Sequence, residues 1–426
     1  MIELRLFREE KSRVIEGLKK KNIPNESLVL VEKIVEKDDE RKKIQTDLDG
    51  LLSESKQISN SVGSLLKAGK IEEANDVKLR IVDLKNKISE LQLSLSSAIQ
   101  DLEDMVIQLP NIPHTSVPLG KHAEDNEVYK LSEDFMPKFD APVLPHWELA
   151  EKYDLISFKD GVLLTGSGFP VYKGKGARLE RALVNFFIDE AVNAGYLEIQ
   201  PPLLVNAETA RATGQLPDKE GQMYHCQIDD FYLIPTAEVP LTNLYRDRII
   251  QAKDFPIMLT GYTPCFRREA GSYGADVKGL NRLHQFDKIE IVRIEHPDHS
   301  YEALEKMISH VESLLVKLEL PYRILRLCGG DMSFSSALTF DFETYSAAQE
   351  RWLEVSSVSN FETFQTNRMK LRFKDEDGKS RLAHTLNGSA LALARIVATL
   401  LENHQTPEGI KIPAALQPYT GFTIIN

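Results

Sequence analysis

Cysteine is scarce: only Cys226, Cys265 and Cys328 occur in 426 residues. They lie far apart and form no CxxC pair, which sets aside a disulfide scaffold and predicts a reduced, cytoplasmic compartment. No Cys/His/Glu cluster stands out, so no bound zinc is expected. No apolar run approaches the roughly 18 residues that span a bilayer, so no membrane partner is expected either. The opening MIELRLFREE lacks a basic start leading into an apolar core and a small-residue cleavage site, which argues against a signal peptide. Net positive charge is also missing, the formal charge being -12. That weighs against a basic nucleic-acid footprint over the whole surface, but not against a local stripe where RNA could lie. What remains is an ordinary soluble balance, with 42% hydrophobic and 27% charged residues, and enough chain for two or three domains.

The first 110 residues are poor in proline and glycine and rich in Lys, Glu, Asp, Ser and Leu. Apolar positions recur at Ile44, Leu48, Leu51, Ile58, Val62 and Leu65, in steps alternating four and three with Ser55 as the polar interruption. After Lys67-Ala-Gly-Lys70 the pattern restarts at Val77, Ile81, Leu84, Ile88, Leu91, Leu95, Ala98, Leu102 and Met105. Two heptad runs joined by a short glycine-containing turn predict an antiparallel coiled-coil hairpin. At 1.5 Å per residue, helices of about 40 residues reach roughly 60 Å. Pro110 and Pro113 end the second helix, and a shorter helix is expected within residues 1–22. On pattern alone such a hairpin reads equally well as a dimerisation coiled coil. The expected division is residues 1–110 and 111–426.

From about residue 115 the texture is mixed. Residues 177–194 read as a helix stopped by Gly195, and residues 298–318 as a second amphipathic helix. Residues 257–268 and 283–294 read as strands enclosing a polar, glycine-rich loop. Further strands are expected at 340–343 and 351–357, and a long helix over 386–402. Strands separated by hairpins and longer helices predict an α+β domain, an antiparallel sheet flanked by helices.

Four short segments can carry chemistry. Phe266-Arg267-Arg268-Glu269 ends a strand with an arginine fork suited to phosphate or carboxylate, although alone it reads as a surface ion pair. Thr236-Ala237-Glu238 follows a short strand and could be a helix cap with a dipole-stabilising acid. Glu354-Val355-Ser356-Ser357 offers a carboxylate and a hydroxyl to a hard divalent cation, or is simply a strand end. His384-Thr-Leu-Asn387-Gly388-Ser389 opens the expected C-terminal helix, where small residues permit close approach by a ligand. Arg395 on that otherwise apolar helix requires a partner, which an ion pair would satisfy.

Together, in this order, these segments resemble the three motifs of the class II aminoacyl-tRNA synthetases. TAEVPLTN, GSYG, LHQFDKIE, EVSS and HTLNGSALALAR are similar to the versions in seryl-tRNA synthetases of the bacterial type, and the resemblance covers essentially the whole chain. It implies a catalytic domain built on a six- or seven-stranded antiparallel sheet, with an N-terminal tRNA-binding arm. It implies serine activation with ATP and transfer to tRNA(Ser), extending to tRNA(Sec), by a homodimer joined around residues 177–202. By the same likeness Arg267 grips the α-phosphate and the serine carboxylate, Arg268 and Glu269 face the nucleotide, and Phe286 stacks on adenine. Arg395 covers the opposite face of adenine and reaches the γ-phosphate. Glu354 and Ser357 hold Mg²⁺, with Val355 and Ser356 in the same ATP-binding run. Thr236, Ala237, Glu238 and Glu290 form the serine pocket, Glu290 taking the ammonium, with Asn387 and Ser389 near the substrate hydroxyl. Lys67, Lys70, Lys78 and Arg80 near the hairpin tip become candidate phosphate contacts. Ser333, in Gly330-Asp331-Met332-Ser333, departs from the family pattern, which has glycine there.

Two competing readings differ in kind. A ligase that loads an amino acid onto a carrier protein would be expected to lack the long arm, which this chain keeps. A catalytically silent binding paralogue would not be expected to retain Arg267, Glu269, Glu354 and Arg395 together.

Overall fold

The computed structural model describes residues 1–140, 142–218, 221–269 and 278–426. The glycine-rich loop expected at residues 270–274 therefore lies outside the described residues. The chain divides into two compact units, Met1–Pro110 and Asn111–Asn426.

The first unit is helical. Two short helices, α1 (Leu6–Glu9) and α2 (Lys11–Lys20), stand where one was expected, because Glu10 at φ -130° and ψ 34° breaks the run. They lead into α3 (Asn25–Lys67, 43 residues) and α4 (Ile71–Val106, 36 residues), which pack side by side. Every expected seam residue, from Ile44 to Leu65 and from Val77 to Met105, is buried or half-buried, and Leu48, Leu84, Ile88, Ala98 and Leu102 are fully so. This is what a period near 3.5 produces when one stripe faces one partner helix. The turn needs Gly69: its φ of +75° lets the Lys70 N–H reach back to the Leu65 carbonyl at 3.0 Å. At this end Lys67 and Lys78 are exposed, Lys70 pairs with Glu73 at 2.9 Å, and Arg80 reaches Glu54 across the hairpin at 2.5 Å.

The second unit is built on one sheet. Its strands in chain order are β1 (Glu127–Ser132), β2 (Leu197–Glu198), β3 (Ile257–Phe266), β4 (Gln285–Glu295), β5 (Tyr322–Arg326), β6 (Leu338–Ser346), β7 (Arg351–Glu362) and β8 (His384–Ala392). In space they run β1-β5-β6-β7-β8-β4-β3-β2. Seven of them form an antiparallel set, as expected, and the two-residue β2 joins the edge in parallel with β3. Helix α5 (His146–Lys152) lies beside the C-terminal helix, while α6 (Gly174–Asn193), α8 (Ser300–Lys317) and α9 (Leu393–Asn403) pack on the sheet. A short helix, α7 (Glu238–Asn243), packs against β4 and β3. Ile289 and Ile291 of β4, Val358 of β7 and Leu386 and Ala390 of β8 join Met307, Val311 and Ile396 from these helices in one core.

One element differs from expectation in kind. Residues 386–392 are strand, not helix, and α9 begins only at Leu393. Leu-Asn-Gly-Ser-Ala-Leu-Ala carries only a weak period of two, because β8 runs in the middle of the sheet between β7 and β4 and, after Leu386, turns only the small Gly388 and Ala390 to the core side, which reads like buried helix. Gly388 has a packing reason as well: a Cβ there would lie 3.1 Å from Val358 Cγ2 and 3.4 Å from Met307 Cε.

Candidate active site

One cleft of about 660 Å³ opens on the sheet face opposite the core. Strand alternation explains which side chains enter it. On β4, Phe286, Lys288 and Glu290 line the cleft while Ile289 and Ile291 enter the core, and on β8 Asn387 and Ser389 line it while Leu386, Gly388 and Ala390 turn away. An extra residue in β8 between the partners of Lys288 and Glu290 returns Ala392 to the cleft side and feeds α9, whose third residue, Arg395, lines the same cleft.

A second bulge settles the geometry of Glu354 and Ser357. Three residues apart on a regular strand, they would point to opposite faces. The register of β6 against β7 slips between Phe342 and Glu343, so that Ser356 and Glu354 oppose consecutive residues and Val355 is the extra one. That insertion turns Glu354 and Ser357 to one side, and both line the cleft.

The deepest part is a buried polar cluster. The Thr236 hydroxyl donates to Glu290 Oε2 at 3.1 Å and accepts from Lys288 Nζ at 2.8 Å and from the Glu238 N–H at 3.2 Å. Lys288 Nζ lies 2.7 Å from the same Glu290 oxygen, and Lys288, Glu290 and Glu238 are only 5%, 1% and 6% exposed. Glu238 Oε1 accepts from Gln365 Nε2 at 2.6 Å, and Gln365 Oε1 accepts from Thr385 at 2.7 Å. Burial, then the Glu290 charge, push the Glu238 carboxyl up to about 7, against the lowering hydrogen bonds and charge of Gln365, Lys288 and Asn387. A cation entering beside it favours the ionised form.

Next to this cluster, the Arg267 guanidinium lies 5.2 Å from the centre of the Phe286 ring, and its Nε–H reaches the carbonyl of Pro235, the residue before Thr236, at 3.4 Å. Among the described residues it meets no carboxylate, so its charge is open to a ligand. Arg395 donates from Nε to the Asn281 carbonyl at 2.9 Å and from Nη1 to the Glu354 carbonyl at 2.7 Å, with the Glu354 carboxylate 3.7 Å away. Glu269 lines the cleft and pairs with Arg282 at 2.8 Å. Beside Glu354, the Asp341 Oδ1 is buried without a partner among the described residues, and desolvation and the Glu354 charge push that carboxyl well up.

The cleft thus brings together Arg267, Arg395, Glu354, Thr236, Glu238, Glu290, Phe286, Glu269, Val355, Ser356, Ser357, Asn387 and Ser389. Ala237 and Arg268 do not line it: Ala237 is the buried residue preceding α7, and the Arg268 N–H is held by the Gln222 carbonyl at 2.9 Å. Lys288 and Gln365 were not anticipated. The alternation of Phe286 and Glu290 around position 288 could have placed Lys288 in the cleft, whereas nothing local in the sequence marks Gln365.

Comparison with known proteins agrees with this architecture. Residues 1–113 match the family model described as seryl-tRNA synthetase N-terminal domain, and residues 224–404 match tRNA synthetase class II core domain (G, H, P, S and T). A serine–tRNA ligase of Salinibacter ruber is 51% identical, over 100% of this chain and 99% of that protein. The chain belongs to the seryl-tRNA synthetase family. Among solved structures, the seryl-tRNA synthetase of Pyrococcus horikoshii complexed with ATP superposes with a TM-score of 0.90 at 31% identity, covering 100% of this chain and 99% of that one. The Naegleria fowleri cytoplasmic serine–tRNA ligase, in complex with AMP, gives 0.87 at 25% identity with the same coverage.

Two features bear on the departures and metals of this family member. Ser333 lines the cleft without a left-handed φ, so its backbone has no need of the glycine found in the family pattern. No group of three or more His, Cys, Asp or Glu side chains among the described residues is placed to hold a metal ion. Glu354 and Ser357 on one side of β7, with an Asp341 oxygen nearby that has no partner among the described residues, are hard oxygen donors of the kind that suits Mg²⁺.

Proposed function

We propose that this cleft activates L-serine with ATP and that the seryl group then passes to tRNA(Ser), and to tRNA(Sec), with residues 1–110 acting as the tRNA arm and residues 111–426 as the catalytic domain. The observation that carries the reading is that one cleft holds both a buried carboxylate pair and a guanidinium that meets no carboxylate among the described residues. The first suits an ammonium and a hydroxyl, the second the negative charge of phosphate and carboxylate.

Serine sits with its ammonium at Glu290, between Thr236 and Glu238, and its hydroxyl toward Asn387 and Ser389. Its carboxylate is already ionised and needs no base. One carboxylate oxygen forms a bond to the α-phosphorus as the bond to the pyrophosphate oxygen breaks. Arg267 holds the α-phosphate and that carboxylate in line, and Arg395 takes charge on the departing phosphates, so rate comes from positioning and neutralisation. Glu354 and Ser357 would hold Mg²⁺, which neutralises phosphate charge. The adenine lies against Phe286. In the second step the 3′-hydroxyl of the terminal adenosine attacks the seryl carbonyl and AMP leaves.

The chain works as a cytoplasmic homodimer joined around residues 177–202, a reading supported by the exposed Val192 on α6 and Leu197 on β2. Lys67, Lys70, Lys78 and Arg80 touch tRNA phosphates. Recognition there rests on shape and backbone more than on bases.

A non-hydrolysable seryl-adenylate analogue tests the site. It is expected to compete with both serine and ATP and to bind at least about 10²-fold more tightly than serine, as intermediate-like ligands do. Competition with only one of the two substrates would contradict a shared cleft.

A further inference from the structure

We infer that Lys288 is a positioning residue for serine, holding the Glu290 carboxylate and the Thr236 hydroxyl in the arrangement that receives the substrate ammonium. This rests on the serine-pocket reading above. Lys288 is 5% exposed and spends its ammonium on two groups of that pocket, Glu290 Oε2 at 2.7 Å and Thr236 Oγ1 at 2.8 Å. Both contacts fall on atoms that also bond each other at 3.1 Å, so the three side chains form a closed triangle. With Oε2 engaged twice, the remaining Glu290 oxygen is left for a ligand. Thr236 has its proton on Glu290 and its lone pairs on Lys288 and the Glu238 N–H, which fixes its rotor.

Charge counting gives the lysine a second role. Without substrate the cluster holds two buried carboxylates, Glu238 and Glu290, and one buried ammonium. Serine brings a second ammonium against these two carboxylates, while its own carboxylate goes to Arg267. The other charged or titratable groups near this cluster are Arg267 and Cys265 at the end of β3, and β8 contributes only Asn387 and Ser389. If Lys288 is neutralised, the Glu238 carboxyl, already pushed up to about 7, loses one of the charges that lower it and rises further, so that it keeps its proton at neutral pH. A proton held there competes with the serine ammonium. Serine binding then improves as pH rises and Glu238 ionises.

The test is ATP–pyrophosphate exchange by the full-length protein with Lys288→Met and Lys288→Gln, both uncharged, the second keeping N–H donors on a side chain one atom shorter than lysine. Both are expected to raise KM for serine about 10- to 100-fold at pH 7, the scale of a lost charge-assisted contact. The KM for ATP should stay within about twofold, since the lysine touches only the serine side. The serine KM should recover substantially by pH 9. A serine KM within about twofold of the parent at pH 7, or a raised KM that is flat from pH 7 to 9, overturns the inference. Glu290→Gln serves as the control for the underlying reading. An unchanged serine KM in that variant overturns the pocket assignment itself, whereas a raised KM there beside unchanged Lys288 variants overturns only the role of the lysine.

Discussion

Deletion of residues 35–100 is expected to leave serine-dependent ATP–pyrophosphate exchange within a few fold of the full-length protein while lowering seryl-tRNA formation by about 10²- to 10⁴-fold, the range lost when one of two linked binding sites is removed. Two structural facts support the separation. Residues 1–110 form a compact unit of their own, and every residue lining the cleft belongs to the other unit. The cut is also geometrically mild: Lys37 and Asp101 meet at 2.9 Å across the hairpin, so residues 34 and 101 lie close and a short turn can join them. Salt supplies a second reading. If exposed lysines at the tip carry tRNA phosphates, charging by the intact protein weakens steeply with ionic strength, while exchange does not. Equal loss of exchange and charging on deletion would mean that the hairpin supports the catalytic unit, and the tRNA-arm assignment would fail.

Arg267→Ala is expected to depress exchange by at least about 10²-fold, the magnitude of losing one preorganised charge-stabilising group. The case rests on how this arginine is held. Its guanidinium lies over the Phe286 ring at 5.2 Å and is steered by the Pro235 carbonyl, with no carboxylate to neutralise it among the described residues. An uncompensated cation beside a cleft is costly to keep unless an anion arrives. Arg395 is a contrasting case, since two carbonyls fix it and the Glu354 carboxylate lies 3.7 Å away. Loss of Arg267 should therefore act on kcat and on the affinity for ATP without unfolding the protein, and a thermal melt within a few degrees of the parent checks the second point. Exchange within about tenfold of the parent would remove Arg267 from the reacting centre.

The hairpin was readable because its information is local. A period near 3.5 over residues 44–65 and 77–105 leaves one stripe to bury, and Gly69 marks the reversal. The antiparallel sheet was readable in type. The helix assigned to residues 386–392 failed because β8 is a central strand whose core side carries the small Gly388 and Ala390, which weakens the period-two signal. Neither bulge could be foreseen, since each is a relation between two strands. Yet the bulges put Glu354 with Ser357 and bring α9 with Arg395 to the same cleft. Lys288 was hidden differently. Its sequence context gave its side of the strand, but only the packed structure shows Thr236, 52 positions away, accepting from it. Gln365 meets Glu238 from 127 positions away, and no local pattern announces such a contact.

In the proposed function one cleft reads serine through its ammonium and hydroxyl while presenting its carboxylate to ATP. ATP–pyrophosphate exchange, run with each standard amino acid in turn under Mg²⁺, tests it most directly. Serine alone should support rapid exchange. Alanine should fall behind by up to roughly 10⁴- to 10⁵-fold, because a buried site built to bond a hydroxyl leaves polar groups unpaired without one. Comparable exchange with alanine or threonine, faster exchange with another amino acid, or none with serine, would contradict a cleft built to read serine.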